Sequence, residues 1–302
     1  MKRHLLIVCL CLAPCAMLHA RHYFELGARI GLGGLVYDCN YGHTSPGYHA
    51  SFDLGWLYRS PYWFAIRAGA SIEAASSVYK KAGYQDQYAT IDVENMLMEV
   101  RYDIGRLRET HRYYAVSFPL QIGITRRGFT GLIGPRFSVP FGGTWRETVS
   151  NAALAVYYPR YNNLVEESYP LAASRDFDMK AEGNLSLPKW RCSLSGELTY
   201  DFLLSSQYGK TEAYLSVGLY FDVWLTTVPT TLNNDRWGIL HLTDTRDGFP
   251  LSRVMMPVLE SWREEAPLVN SLRAFDVGIK AAVHLTAAPK QKHLHPGCNC
   301  YE

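Results

Sequence analysis

Hydrophobic and polar residues alternate with a period of two along most of this chain. In 22–36, Phe24, Leu26, Ala28, Ile30, Leu32 and Val36 share one parity, while Glu25 and Arg29 take the other with Gly27, Gly31 and Gly33. In 212–226, Ala213, Leu215, Val217, Leu219, Phe221, Val223 and Leu225 alternate with Glu212, Tyr214, Ser216, Gly218, Tyr220, Asp222 and Trp224. In 190–204, Cys192, Leu194, Leu198 and Phe202 oppose Ser193, Ser195, Glu197, Thr199 and Asp201. In 272–286, Phe275, Val277, Ile279, Ala281, Val283 and Leu285 oppose Asp276, Lys280 and His284. Successive side chains of a strand point to opposite faces, so each run predicts a strand with one apolar and one polar face.

Four more segments read the same way. Residues 48–59 set Ala50, Phe52, Leu54 and Trp56 against Ser51, Asp53 and Gly55, and 62–74 set Phe64, Ile66, Ala68 and Ile72 against Arg67, Gly69 and Glu73. Residues 113–125 set Tyr114, Val116, Phe118, Leu120, Ile122 and Ile124 against Ser117, Gln121 and Thr125. Residues 128–141 place Phe129, Ile133, Phe137, Val139 and Phe141 opposite Thr130, Arg136 and Ser138. All of these runs are longer than the ~5–6 residues of an ordinary strand.

Alternation alone fits a soluble sandwich or a membrane barrel. A sandwich buries its apolar faces inward, whereas a membrane barrel turns them to lipid and keeps polar residues in the lumen. Three features favour the barrel. The runs reach the ~9–11 residues that a tilted strand needs to cross a bilayer. Tyr37, Tyr58, Tyr62, Trp63, Tyr113, Tyr114 and Trp190 cluster at strand ends, where interfacial aromatic girdles lie. The connections alternate in length: short at 58–61, 126–127 and 205–209, long at 38–47, 75–112, 142–189 and 227–271. The expected fold is therefore all-β, an antiparallel up-and-down transmembrane β-barrel of eight strands with short periplasmic turns and long extracellular loops. Residues 92–104 also alternate, with Met96, Met98, Val100, Tyr102 and Ile104 against Leu97, Glu99, Arg101 and Asp103. Counted as a spanning strand they would break the parity. They are read as hairpin structure above the membrane, with a ten-stranded barrel as the alternative.

Composition agrees without deciding. Among 302 residues, 48% are hydrophobic and 19% charged, which excludes a disordered chain. Thirty Lys and Arg against 28 Asp and Glu predict no nucleic-acid partner. Residues 1–20 carry Lys2 and Arg3, an apolar run from Leu5 to Leu12 and a small Ala20, the pattern of a cleaved signal peptide. The apolar run is shorter than the ~20 residues of a spanning helix. Mature residues 21–286 then form the barrel and 287–302 a flexible periplasmic tail.

The run Phe118-Pro119-Leu120-Gln121-Ile122-Gly123, with Gly128-Phe129 and Gly134-Pro135-Arg136 after it, resembles small outer-membrane β-barrels of Bacteroidota, the PorT-like or OmpX/OmpA-like barrel domains. Ser195-Gly196-Glu197-Leu198-Thr199-Tyr200 and Val217-Gly218-Leu219-Tyr220-Phe221-Asp222 extend the likeness. The resemblance implies an eight-stranded barrel and no catalytic residues. Leu285-Thr286 departs from it, because a tail follows where many such barrels end on an aromatic residue.

The lumen-facing parity carries Glu25, Asp53, Glu73, Glu197, Asp201, Glu212, Asp222 and Asp276 against Arg29, Arg67, Arg136 and Lys280, with His284. Eight strands enclose an interior just wide enough for side chains, so these charges are expected to pair and plug it. An ion path lined by them is the second reading. A lipid-modifying enzyme is the third, with His43, Ser45, His49, His111, His241, Asp244 and Asp247 as rim candidates. No Gly-x-Ser-x-Gly or His-Glu-x-x-His motif supports it, and the expectation is no enzyme. Cys39 and Cys192 are a candidate disulfide. Cys298 and Cys300 with His293 and His295 lack zinc-finger spacing, so neither metal nor cofactor is expected. Val254–Glu265 could form a short amphipathic helix within a loop that packs as a cap. The expected partners are the lipid bilayer of the cell outer membrane and a protein bound by the external loops or the tail. The expected role is structural or interaction-based.

Overall fold

The computed structural model describes residues 21–39, 41–91, 95–165, 174–206, 211–225, 228–229, 238–243, 252–263 and 266–287. Eight long strands make a closed antiparallel ring: β1 Arg21–Asp38, β2 His43–Arg59, β3 Phe64–Ile91, β4 Leu97–Arg126, β5 Phe129–Tyr158, β6 Arg191–Ser206, β7 Thr211–Trp224 and β8 Ser271–Ala287. Neighbours in sequence pair, and β8 closes on β1 from Phe24↔Leu285 to Asp38↔Ser271. The ring has eight strands, not ten. Residues 97–104 and 113–125 belong to one strand, β4, which explains how both can alternate without adding a ninth member.

The lower part of every ring strand turns apolar side chains outward. Phe24, Leu26, Ile30 and Leu32 on β1, Phe52, Leu54 and Trp56 on β2, and Phe118, Leu120, Ile122 and Ile124 on β4 are all exposed. Ile133, Phe137 and Val139 on β5, Leu198 and Phe202 on β6, Leu219 and Val223 on β7, and Val277 and Ile279 on β8 continue this belt. Their inward neighbours are polar and buried, so the core of this half is charged.

Above the belt the polarity reverses. On β4, Met98, Val100, Tyr102, Ile104 and Leu107 point inward and are buried, while Arg101, Asp103, Arg106, Arg108 and Arg112 are exposed. β3 and β5 run on beside β4, and the strand Ser174–Asn184 adds to the outer edge of β5. The segments expected as loops at 75–112 and 142–189 are thus largely sheet. Residues 238–243, 252–263 and 266–270 fold over this end, sinking Ile239, Leu240, Met255, Val258, Leu259, Leu268 and Val269 into one cluster with Leu35, Tyr79, Val100 and Trp145. No helix forms over the described part of Val254–Glu265. Val254 and Met255 end a short strand paired with Leu240–Thr243, a 3₁₀ turn Val258–Glu260 follows Pro257, and a small hairpin pairs Trp262 with Pro267. Pro257 supplies no amide hydrogen for a helical ladder through that point.

Inward parity slips by one residue at a shared level of three strands. On β3 it passes from Tyr79 to Tyr84, on β4 from Ile104 to Leu107, and on β5 from Val149 to Ala152. Gly83 (φ 62°) and Asn151 (φ 53°) occupy the left-handed region there, which glycine and asparagine tolerate best.

Glycine also shapes the ring interior. Gly31 pairs with His49 on one side and Gly278 on the other, and Gly278 pairs with Tyr220. The two glycines leave a bare floor over which Tyr220 reaches His49, its hydroxyl 2.8 Å from Nδ1. A Cβ on Gly31 would stand 2.7 Å from the Tyr220 hydroxyl and 2.8 Å from the Gly278 Cα. Gly131 differs, since its nearest neighbour would be the Leu198 Cδ1 at 3.9 Å. Gly31→Ala is therefore predicted to lose about 1–3 kcal/mol of stability, as overpacked interiors do. Gly131→Ala should stay within about 0.5 kcal/mol. Thermal unfolding followed by circular dichroism compares them, and equal losses would refute the account of Gly31.

Candidate functional site

The charged lumen is the first candidate site. Its buried carboxylates are Glu25, Asp53, Glu73, Glu197, Asp222 and Asp276, and its buried cations Arg29, Arg67, Arg136, Arg191 and Lys280. Glu197 is the hub: it accepts from Arg29, from Arg67 Nη1 at 3.0 Å and from Lys280 Nζ at 2.6 Å. Below it, Glu25 accepts from Arg67 at 2.6 Å and Lys280 at 2.8 Å, with His284 Nε2 at 3.1 Å. Asp53 takes Arg29 Nε at 2.7 Å, and Asp222 lies 3.3 Å from Arg29 Nη1. Above, Glu73 pairs with Arg136 at 2.9 Å and with Arg191.

Most of the charges predicted by parity meet here, with instructive exceptions. Glu212 sits at the lower edge, paired at 2.8 Å with the exposed Arg21. Asp201 also lies low, beside Arg59, with His284 Nδ1 at 3.6 Å. Asp276 is buried, and its Oδ1 has no hydrogen-bond partner among the described residues. Sequence reasoning missed Arg191, although it shares the inward parity of Ser193, Ser195 and Glu197. It also missed Ser71, which receives Arg136 at 2.7 Å. Gln121 bridges Arg67 at 3.1 Å and Ser195 at 3.1 Å.

The candidate Cys39–Cys192 disulfide is not formed: both thiols are free. Cys192 has the outward parity of β6, whereas Cys39 follows β1 and packs against the interior cluster. The wall of the ring separates them. Among the described residues no group of His, Cys, Asp and Glu has metal-holding geometry. Cys298, Cys300, His293 and His295 fall outside the described residues, as do residues 1–20, Asp244 and Asp247.

A second polar group lies in the upper core, above the apolar belt. Glu109 and Glu147 face each other across β4 and β5, both buried. Glu109 accepts the Val258 amide at 2.8 Å and contacts His111 Nε2, which also lies 2.7 Å from the Tyr37 hydroxyl. Ser77 Oγ stands 3.4 Å from His111 Nδ1. A serine, histidine and carboxylate therefore meet, all of them buried and with a long serine contact. Of the other rim candidates, His43 is exposed, and His49 is held by Tyr220.

Neither carboxyl oxygen of Glu147 has a hydrogen-bond partner among the described residues. Burial, and then repulsion from Glu109, hold this carboxyl well above the usual range. Beside the upper core, Asp86 accepts from Tyr84 at 2.9 Å and Tyr102 at 3.0 Å, and lines a cleft of about 440 Å³ with Gln85, Arg101 and Arg263.

No family model and no curated protein matches the chain. Among solved structures, it aligns with the P. putida toluene transporter TodX at 10% identity over 89% of this chain and 90% of that one, with a TM-score of 0.17, too low to carry an argument.

The geometry can be tested at two carboxylates. Glu197→Gln removes the carboxylate shared by three buried cations, leaving Arg29 to Asp53 and Arg67 and Lys280 to Glu25, and should cost about 3–5 kcal/mol. Arg21→Ala, which breaks an exposed pair, should cost less than about 1 kcal/mol. Denaturant unfolding measures both, and similar costs would overturn the hub assignment. For Glu147, the folded-state pKa lies above the unfolded value of about 4.3, so the folded chain holds an extra proton between the two. Stability is then full below pH ~4 and falls as pH rises through the folded-state value. Glu147→Gln should match the native chain at pH ~4 and become the more stable of the two as pH rises toward about 8. Unfolding midpoints measured across that range check the divergence, and an unchanged pH dependence in the variant would contradict it.

Proposed function

We propose that this chain is an outer-membrane β-barrel, exported by the leader expected at 1–20, with a lumen closed by ion pairs. Its role is structural or interaction-based and is carried by the folded extension and its cap. One observation supports the reading above all: the ring is apolar outside and charged inside. Ile30 is 67% exposed, Leu32 62% and Leu219 61%, while Arg29, Arg67 and Glu197 are buried. Soluble monomers rarely show apolar patches above a few hundred Å², yet this belt runs round every ring strand. In hydrocarbon the same belt is favourable, and a closed ring leaves no unpaired backbone edge.

The dimensions suit a bilayer. On β4 the outward apolar residues run from Tyr114 to Ile124, matching the ~9–11 residues of a tilted spanning strand. Exposed Tyr48, Tyr114 and Trp190 mark the upper edge, and Trp56, Tyr62, Trp63 and Phe129 the lower one, as aromatic girdles do. The likeness of 118–136 to small Bacteroidota barrels points the same way.

A channel would need a continuous wet path, and the layers around Glu25, Glu197 and Glu73 stand across it. The expected outcome is a purified, detergent-extracted protein whose gel mobility shifts on boiling and which gives no steady conductance in a planar bilayer. A steady cation-selective conductance would replace the plug by a pore. Absence of the shift, with recovery in the soluble fraction, would sink the membrane reading.

A further inference from the structure

We propose that the outward face of the extension, just above the apolar belt, is a docking surface for the phosphate headgroups of the surrounding lipid leaflet. This deepens the membrane reading and rests on it.

The observation is a rung of basic side chains. His43 pairs across the sheet with Lys80, Lys80 with Arg108, Arg108 with Thr148, and Thr148 with Lys180. One line of backbone pairing thus crosses β2, β3, β4, β5 and the strand Ser174–Asn184. His43, Lys80, Arg108 and Lys180 are all exposed on it. Arg106 and Arg112, on the same face of β4, stand two residues above that rung and four below it, and both are exposed.

Lys80, Arg106, Arg108 and Arg112 make no ion pair among the described residues. Exposed arginines nearby do: Arg146 bonds Glu182 at 2.8 Å and Arg101 bonds Glu99 at 2.8 Å. Two more acids described on this face accept hydrogen bonds of their own. Asp103 accepts from Gln85 at 2.7 Å, and Asp178 accepts the Asn151 amide at 3.1 Å. Glu109 and Glu147 have the opposite parity and lie buried inside. The cations are therefore left to an external anion.

Position identifies the anion. Arg112 is two residues beyond Tyr114, the last aromatic of the belt on β4, and Arg106 is eight beyond. At ~3.3 Å per residue along a tilted strand, the patch begins within on the order of 10 Å of the hydrocarbon edge. That layer holds lipid headgroups: Arg112 stands in it, while Lys80 and Arg108, six residues beyond Tyr114 or on the order of 20 Å along the strand, reach toward it through their long flexible stems. Arginine suits it, since its planar fork binds phosphate bidentately. A soluble acidic protein would find the same charges but would have no reason to favour residues adjoining the belt.

The test uses the full mature chain folded into phosphatidylcholine vesicles, alone, with diphosphorylated lipid A, or with the dephosphorylated lipid. The variant is K80Q/R106Q/R108Q/R112Q. The native chain is expected to fold in all three. Diphosphorylated lipid alone should raise the temperature at which the folded gel band is lost, and should co-purify in native mass spectra. The variant should keep the phosphatidylcholine value, lose the increment, and retain the phosphorylated lipid on the order of a hundredfold less. Folding with no phosphate-dependent increment overturns this inference and leaves the barrel reading standing. An equal increment when inorganic phosphate is added to the plain phosphatidylcholine vesicles overturns the lipid source. An increment that the variant retains overturns the assignment to these residues. Failure to enter any vesicle overturns the barrel reading beneath it.

Discussion

Closing eight strands into a ring leaves an interior only about as wide as side chains, and that constraint governs everything built around it. Charges placed there cannot share bulk water, so each needs a partner within the wall. Glu197 on β6 answers Arg29 on β1, Arg67 on β3 and Lys280 on β8, tying four strands through one carboxylate. Such pairs need not outdo well-packed apolar residues in energy, because desolvation offsets much of their attraction. Their stronger effect is on register. A slip of one residue would swing Arg29 or Lys280 onto the apolar outer face and strand its partner inside.

The second organising fact is that the rule of polarity reverses along single strands. Below, β4 is apolar outside and polar inside; from Leu107 upward it is the opposite, with inward Glu109 and His111 between. A ring strand thus becomes part of an ordinary apolar-cored sheet without interruption. The shared slip at Gly83, Gly105 and Asn151 turns Tyr84, Ile104 and Ala152 toward the interior while the strands continue. The cap of residues 238–243, 252–263 and 266–270 then supplies the apolar partner that a single-layered sheet would lack.

This split explains what is legible in the sequence. Period-two alternation locates all eight ring strands, and parity picks out Glu25, Arg29, Asp53, Arg67, Glu73 and Glu197 as interior residues that do meet. Parity also argues against the disulfide, since Cys192 shares it with the outward Leu194 and Leu198. Arg191 carries the inward parity, but the apolar members that define its run begin only at Cys192. The extension is harder. Its strands are hidden by the reversal of polarity and by the one-residue slip, so 75–112 and 142–189 look like loops. Glu109 and Glu147 give no sequence signal, because they are neighbours only through the pairing of β4 with β5.

The burial of Glu147 bears on why the extension exists. Closing the upper end of the ring requires only apolar contacts, which Val100, Ile104, Val149 and Leu259 already provide. A leucine or glutamine at 147 would serve closure better than a carboxyl with neither oxygen satisfied, since an unpaired buried polar group costs about 1–3 kcal/mol. Glu109, its neighbour, holds the cap through the Val258 amide, so the strained pair sits where cap and sheet join. Local rules fail most often at sites that do more than hold a fold together. Buried Glu109 and Glu147 and the exposed Lys80, Arg106, Arg108 and Arg112 thus lie on opposite faces of the same sheet.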